Sequence, residues 1–243
     1  MNPASPDSEK FIRANTRPLG VPSLPDITLY QADEVTPLWL MTEADLSRER
    51  MAPPFWAFAW SGGQALARYV RDHPETVAGK RVLDLACGSG LVGIAAAMAG
   101  AARVVGNDID PYAQAAVGLN AERNGVHIDF LSGDLLAGPI PDVDVILAGD
   151  ICYEKTMTGA MLTFLGRALS KNLRVLVGDP HRTYFPGEGA FGGFRKLADY
   201  SVRTVADIED VTEKPAAVWE LVTWGEATIT STMSNSPPPA SDR

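Results

Sequence analysis

Arg81-Val82-Leu83-Asp84-Leu85-Ala86-Cys87-Gly88-Ser89-Gly90-Leu91-Val92-Gly93 opens as a short β-rich run, breaks at a glycine turn and continues as an apolar helix to Ala99. A strand that passes through a tight turn into a helix is half of a βαβ unit. The pattern repeats outward. Gly63 to Val70 reads as a preceding helix, with Leu66 and Tyr69–Val70 on one face. Val104 to Asn107 is a second strand, followed by a helix that starts at Pro111, a residue suited to a first turn, and runs to about Asn124. Ile128 to Leu131, Val143 to Ala148 and Arg174 to Gly178 are further strands, with a helix over Met157 to Leu169, and Tyr200 to Val205 and Ala217 to Trp224 are two later ones. Short apolar strands separated by helix-length segments predict a mostly parallel sheet covered on both faces, a doubly wound Rossmann-like α/β fold. In that architecture ligands bind beyond the carboxyl ends of the strands, so functional residues should follow strands immediately.

The composition narrows the class. A chain of 243 residues with 46% apolar and 21% charged residues can build a full core and is ordinary for a globular protein. A formal charge of −9 leaves no surplus of Lys and Arg for phosphates, which argues against a nucleic-acid partner. Two cysteines, Cys87 and Cys152, and three histidines make neither a disulfide framework nor a recognisable metal site. No apolar run reaches membrane-spanning length, and the first residues have neither a signal-peptide core nor an Arg-rich transit pattern. The expectation is a cytoplasmic protein of a reducing compartment. Residues 1–8 and the Ser/Pro-rich segment from about 229 to 243 read as disordered, and 9–52 as an irregular or helical extension. The expected division is thus an extension over 1–52, one catalytic domain over 53–226 and a tail over 227–243.

Gly88-Ser89-Gly90-Leu91-Val92-Gly93 is a G-x-G-x-x-G after a strand, which by itself also fits a dinucleotide site. Asp84, at the end of the strand, discriminates. A pyrophosphate would be repelled by this carboxylate, whereas the ammonium and sulfonium of S-adenosylmethionine would be attracted to it. A helix-capping Asp is the plainer explanation. Asp108 ends the second strand, twenty residues past Gly88, where a carboxylate accepts both ribose hydroxyls; Asp110, just before Pro111, is the better helix cap. Asp134, after the third strand, is placed to accept from an adenine amino group, and an ordinary turn residue explains it almost as well. After the fourth strand, Gly149-Asp150-Ile151-Cys152-Tyr153 puts Asp150 and Tyr153 where an acceptor would meet the methyl group. Their plainer readings are a helix cap and a packed aromatic. Cys152 reads as a small core residue.

The run is similar to the seven-β-strand methyltransferase superfamily, and more narrowly resembles the lysine methyltransferases that act on the β subunit of electron transfer flavoprotein. The resembling segments are Pro53 to Tyr69, Asp84 to Gly90, Asn107 to Pro111, Leu119 to Ala121, Gly149 to Tyr153, Val177 to Pro180 and Ala217 to Trp219. The resemblance implies seven strands with the last antiparallel. It also implies a cofactor role for Trp60, lysine recognition by Asp150 and Tyr153 as catalytic residues, and S-adenosylhomocysteine as product. The cofactor set is then Trp60, Asp84, Gly88, Gly90, Asp108, Ile109, Asp134, Leu135 and Asp150. Trp56 reads better as core. Arg182, after the fifth strand, suits either a grip on an acidic group of the partner or a loop salt bridge, and His181 receives no role.

The partner implied is a protein, the electron transfer flavoprotein β subunit, with no nucleic acid and no membrane. The alternatives are a small-molecule or ribosomal-protein N-methyltransferase with the same cofactor site and, more remotely, an NAD-dependent oxidoreductase. Base methylation is disfavoured by the charge and by the lack of an Asn-Pro-Pro-Tyr type motif after the fourth strand.

Overall fold

The computed structural model describes residues 5–33, 35–38, 41, 52–189, 192–203 and 213–225. The expected tail from 227 onward, and the last residues of the strand expected over Tyr200 to Val205, lie outside the described residues. Residues 5–8, expected to be disordered, instead open a helix, α1 (Pro6–Asn15), with Ser5 accepting from the Asp7 N–H at 3.3 Å and Pro6 in the first turn. A hairpin follows, β1 (Arg17–Val21) and β2 (Leu24–Gln31), paired antiparallel. This hairpin was not anticipated from the sequence.

The remaining elements are α2 (Ser61–Asp72), β3 (Arg81–Leu85), α3 (Leu91–Met98), β4 (Arg103–Asp108), α4 (Pro111–Arg123), β5 (Asp129–Ser132), β6 (Val145–Gly149), α5 (Lys155–Leu169), β7 (Arg174–Asp179), β8 (Glu188–Gly189), β9 (Gly192–Arg203) and β10 (Glu213–Thr223). The main sheet has the order β5-β4-β3-β6-β7-β10-β9-β8. Strands β3 to β7 are parallel, and β10 runs antiparallel to both β7 and β9. The expected seven strands and antiparallel last strand are present; β8, two residues paired antiparallel with β9, adds an eighth at the edge. None of the described helices is long and apolar enough to cross a membrane.

Alternation along each strand divides the core. Val82, Val145, Leu147, Leu176 and Val218 face α2 and α3, while Leu83, Leu85, Ile146, Ala148, Val175, Val177 and Trp219 face α5. Helix α3 reads as apolar all round because it is enclosed. The sheet lies under it, α2 lies beside it, and Ile27 and Leu29 of the hairpin join the same cluster as Ile94, Ala95 and Ala96. The hairpin is held by carboxamides of α4. Asn124 accepts from the Thr28 N–H at 2.9 Å and donates to the Thr28 carbonyl at 2.7 Å, and Asn120 accepts from the Tyr30 N–H at 2.7 Å. These side chains satisfy a strand edge that would otherwise be unpaired.

The N-terminus of α2 rests on the carboxyl ends of β6 and β7 through glycines. A Cβ on Gly178 would stand 2.1 Å from the Gly62 carbonyl oxygen, one on Gly62 would stand 2.4 Å from the Gly178 oxygen, and one on Gly149 would stand 2.7 Å from the Gly63 Cα. Backbone cannot yield as a flexible side chain can. Gly178→Ala is therefore expected to destabilise the fold by at least about 2 kcal/mol in urea unfolding. Gly118→Ala, where a Cβ meets nothing within 4 Å, should stabilise by about 0.5–1 kcal/mol in the same assay. A neutral Gly178→Ala would mean that α2 is free to shift away from the sheet.

Candidate active site

The carboxyl edge of β3, β4, β6 and β7 carries nearly all of the site residues expected from sequence. Four helices start there, and each start leaves backbone N–H groups that need acceptors. Helices α4 and α5 bring their own. Asp110 accepts from the Tyr112 N–H at 2.8 Å, and Glu154 accepts from the Thr156 and Met157 N–H groups at 2.8 and 2.7 Å. Helices α2 and α3 start at Trp60 and Gly90, whose side chains make no cap. Their acceptors come from strand ends. Asp84 accepts from the Gly93 N–H at 2.7 Å, and Asp150 accepts from the Gly62 N–H at 3.1 Å.

The capping explanation for Asp84 is thus what its contacts display, and the carboxylate is only 1% exposed. Asp150 also caps a helix, though α2 across the site and not the helix that follows it in sequence. The Gly-rich loop is fixed further by Asp108, which accepts from the Gly88 N–H at 2.8 Å and from the Asp110 N–H at 3.0 Å. Gly88 and Gly90 have φ of 50° and 78°, the left-handed region where a Cβ is costly. A Cβ on Gly88 would come within 3.7 Å of the Phe55 carbonyl and the Trp56 Cα, so the segment before α2 lies directly against the loop.

That segment is a chain of rings. Phe55 lies 5.7 Å from Trp60 and 5.2 Å from Tyr153, and Phe58 lies 5.7 Å from Trp60. The Trp60 indole donates to the Phe55 carbonyl at 2.9 Å. Phe55 thereby joins Trp60 and Tyr153 into one cluster at the mouth. Trp56 is buried and stacked on Tyr112 at 5.9 Å, the packing role expected of it. Ile109 stands 73% exposed beside Asp108, an apolar surface next to the loop.

Asp134 and Leu135 are less closely joined to the rest. Asp134 is exposed and accepts from the Leu136 N–H at 2.7 Å, the turn geometry that rivalled a ligand role, and Leu135 packs against the α5-side core. They are tied to Asp108 through the backbone, since the Gly133 N–H donates to the Asp108 carbonyl at 3.0 Å.

On the other side of the loop, Asp150 has a left-handed backbone, φ 60°, and is almost fully buried. Its second oxygen accepts from Arg182 Nε at 2.7 Å, so Arg182 makes the salt bridge of its two expected readings. Asp179 accepts from the Arg182 N–H at 2.8 Å through one oxygen; its other oxygen is buried with no partner. Cys152 is buried in the core as expected.

Several positioning residues were not singled out from sequence. Asn107 donates from its carboxamide to the Leu131 and Gly133 carbonyls at 2.8 and 2.9 Å, which fixes the turn after β5. Asn120 donates to the Ser89 carbonyl at 2.8 Å and so holds the glycine loop from α4. A polar amide at the buried end of a strand and another in a buried helix face were the available signals.

Burial dominates the electrostatics. It pushes the Asp84 carboxyl up to about 7, helped by the Asp108 charge and opposed by the Gly93 hydrogen bond. Asp179 is likewise pushed up to about 7 by burial, with the Asp150 charge adding and the Arg182 hydrogen bond opposing. The Tyr153 phenol is raised by burial and by the Asp108, Asp150 and Glu154 charges, so it remains a neutral hydroxyl. Both thiols are raised by burial, which removes them as nucleophiles. Among the described residues no group of His, Cys, Asp or Glu could hold a metal ion.

These contacts also test the ligand class. In a dinucleotide site the loop and helix N–H groups would donate to phosphate. Here the Gly88 and Gly93 N–H groups already donate to Asp108 and Asp84. Two carboxylates beside an open glycine turn suit a cationic ligand bearing hydroxyls, and they fit S-adenosylmethionine.

Comparison with known proteins gives the same direction. Residues 64–152 match the family model described as ribosomal protein L11 methyltransferase (PrmA). The electron transfer flavoprotein β subunit lysine methyltransferase of Xenopus laevis is 38% identical over 168 residues, 68% of this chain and 68% of that protein. The protein of that name from Homo sapiens is 34% identical over 223 residues, 90% of this chain and 82% of the relative. A solved protein from Pyrococcus horikoshii, described as a candidate RNA methyltransferase, shares the fold with a TM-score of 0.52 at 16% identity, over 70% of this chain and 88% of that one.

The two raised carboxyls set a pH dependence of stability. Each binds a proton more tightly folded than unfolded, where an Asp titrates near 4. Between about pH 4 and pH 7 the folded state therefore holds more protons, and stability falls as pH rises through that window. Urea unfolding should give a lower stability at pH 8 than at pH 5. Asp179→Asn should flatten that slope, and an equal slope in the variant would show that Asp179 does not titrate there.

Proposed function

The chain belongs to the family of electron transfer flavoprotein β subunit lysine methyltransferases, and on that premise we propose that it methylates lysine ε-amines of that subunit with S-adenosylmethionine as donor. The observation that carries the cofactor half is that the Gly88 N–H of the loop and the Gly93 N–H of α3 donate to Asp108 and Asp84, where a dinucleotide site would offer N–H groups to phosphate. When bound, the donor would supply an electrophilic sulfonium methyl for a neutral amine, with S-adenosylhomocysteine as the leaving group. The protein's tasks are to position, to exclude water and to place charge.

Asp108 would hold the ribose hydroxyls while it fixes the loop through Gly88, since each carboxylate oxygen accepts more than one bond. Gly88 and Gly90 admit the ligand close to the backbone. Asp84 would supply negative charge to a cationic ligand, and it locks the start of α3. Trp60, Ile109 and Leu135 give apolar walls, and Asp134 faces the adenine side. Asp150 and Tyr153 form the acceptor side, with Asp150 also bordering the donor. The neutral Tyr153 hydroxyl and the Asp150 carboxylate orient the amine lone pair, and its proton leaves to solvent. Free thiols at Cys87 and Cys152 accord with a cytoplasmic location.

The ribosomal-protein reading has its own support in the family match, and a ribosomal protein L11 methyltransferase of Aeromonas hydrophila is 44% identical over 89 residues. That relative matches over only 30% of this chain, and the family match stops at residue 152, before β7 and the turn that follows it. The flavoprotein-related proteins match across the acceptor side as well.

Intact mass spectrometry of electron transfer flavoprotein after incubation with enzyme and donor should show 14-Da increments on the β subunit, 14 Da being about the mass of one added methylene. An unmodified β subunit, with a ribosomal protein labelled instead, would overturn the acceptor assignment. Asp108→Ala should weaken S-adenosylhomocysteine binding by about tenfold or more in calorimetry. Asp84→Asn keeps an acceptor for the Gly93 N–H but removes the charge. Its loss of affinity for the cationic donor should exceed its loss for neutral-sulfur S-adenosylhomocysteine, and equal losses would leave Asp84 as a cap only.

A further inference from the structure

The contacts around Asp150 extend one step beyond the residues so far given a role. Asp150 sits at the carboxyl end of β6 with its carboxylate between two donors, the Gly62 N–H of α2 and Arg182 Nε. Arg182 is not on a regular element; it lies in the turn after β7. What fixes that turn is Asp179, the last residue of β7, which accepts from the Arg182 N–H at 2.8 Å. A contiguous chain of hydrogen bonds therefore runs from β7 through Arg182 to the acceptor-side carboxylate.

Its cost argues that it is not incidental packing. Asp179 is fully buried, and its second oxygen has no partner. A buried unpartnered carboxylate oxygen lowers stability. The Asp150 backbone is itself in the left-handed region, a conformation that a non-glycine residue keeps only when its surroundings impose it. The Asp150 N–H donates to the Gly178 carbonyl at 2.8 Å, so β7 holds Asp150 at the backbone as well as at the side chain.

We propose that Asp179 and Arg182 are positioning residues for methyl transfer, Asp179 fixing the turn that carries Arg182 and Arg182 fixing the Asp150 carboxylate against the start of α2. The role bears more on the acceptor than on the donor, which Asp150 only borders. The donor-side contacts, Asp108 to Gly88 and Asp84 to Gly93, share no atom with this chain. The proposal rests on the reading of Asp150 as an acceptor-side residue.

Two measurements separate the proposal from that reading. The first needs neither donor nor acceptor. In hydrogen exchange of the full chain, Arg182→Ala should raise the exchange rates of the Gly62 and Asp150 amides by about tenfold or more, while the Gly93 amide keeps its wild-type protection. The second is steady-state methylation of the protein acceptor. Arg182→Ala should lower kcat by about a hundredfold and change S-adenosylhomocysteine affinity by less than about threefold. Arg182→Lys, which keeps the charge and loses the guanidinium geometry, should fall between. Methylguanidine at tens of millimolar should restore part of the Arg182→Ala rate, and Asp179→Ala, which removes the acceptor of the Arg182 N–H, should lower kcat about tenfold or more, with Asp179→Asn, which still accepts that N–H, recovering most of the loss.

Unchanged exchange at Gly62 in Arg182→Ala would overturn the proposal. So would a fall in S-adenosylhomocysteine affinity parallel to the fall in turnover. If the flavoprotein is the wrong acceptor, the wild type is silent in the turnover assay, yet the exchange experiment still decides whether Arg182 holds Asp150 in place.

Discussion

Helix starts crowded onto one edge of a parallel sheet must find acceptors for their N–H groups, and in this protein strand-end aspartates supply them. Asp84 serves α3 and Asp150 serves α2, neither of which has a capping side chain of its own. The usual consequence of several helix N-termini at one sheet edge is an anion site. Filling these positions with the protein's own carboxylates reverses the sign of the site. The oxygens that serve these helix starts lie beside the glycine loop, so the capping role of Asp84 and Asp150 does not exclude the ligand role proposed for them.

Close backbone approach makes this arrangement possible. Gly62, Gly149 and Gly178 let α2 descend until the Gly62 N–H reaches Asp150. A larger residue at any of the three would lift the helix and break that bond. At the glycine loop, the run from Phe55 to Trp60 lies against Gly88 and is anchored from behind by Trp56 on Tyr112. The aromatic mouth is therefore attached to the first turn of α4, the same helix whose Asn120 holds the Ser89 carbonyl. Loop, mouth and hairpin share one support.

The ribosomal-protein match has its boundary within this frame. It runs from Gln64 in α2 through the glycine loop and the ends of β3, β4 and β6 to Cys152. The segment after β7, with Asp179 and Arg182, lies beyond it.

The sequence alone determined the alternation of strands and helices from Arg81 onward, the glycine loop, and the strand-end positions of Asp84, Asp108 and Asp150, because those features are local. Hydrophobic runs, turn residues and caps act within a few positions of one another. Observed strands β3, β4 and β7 lie within a residue or so of their expected limits for that reason. The hairpin of β1 and β2 was not legible, since its buried face is matched by α3 and its edge by Asn120 and Asn124, some ninety residues away. Which hydrogen bond each carboxylate makes was also decided only in three dimensions. Asp150 and Gly62 are 88 positions apart, and Asp150 and Arg182 are 32 apart, so no spacing rule joins them. Local propensity places an acid at a strand end; the packing of another helix against that end decides what the acid holds.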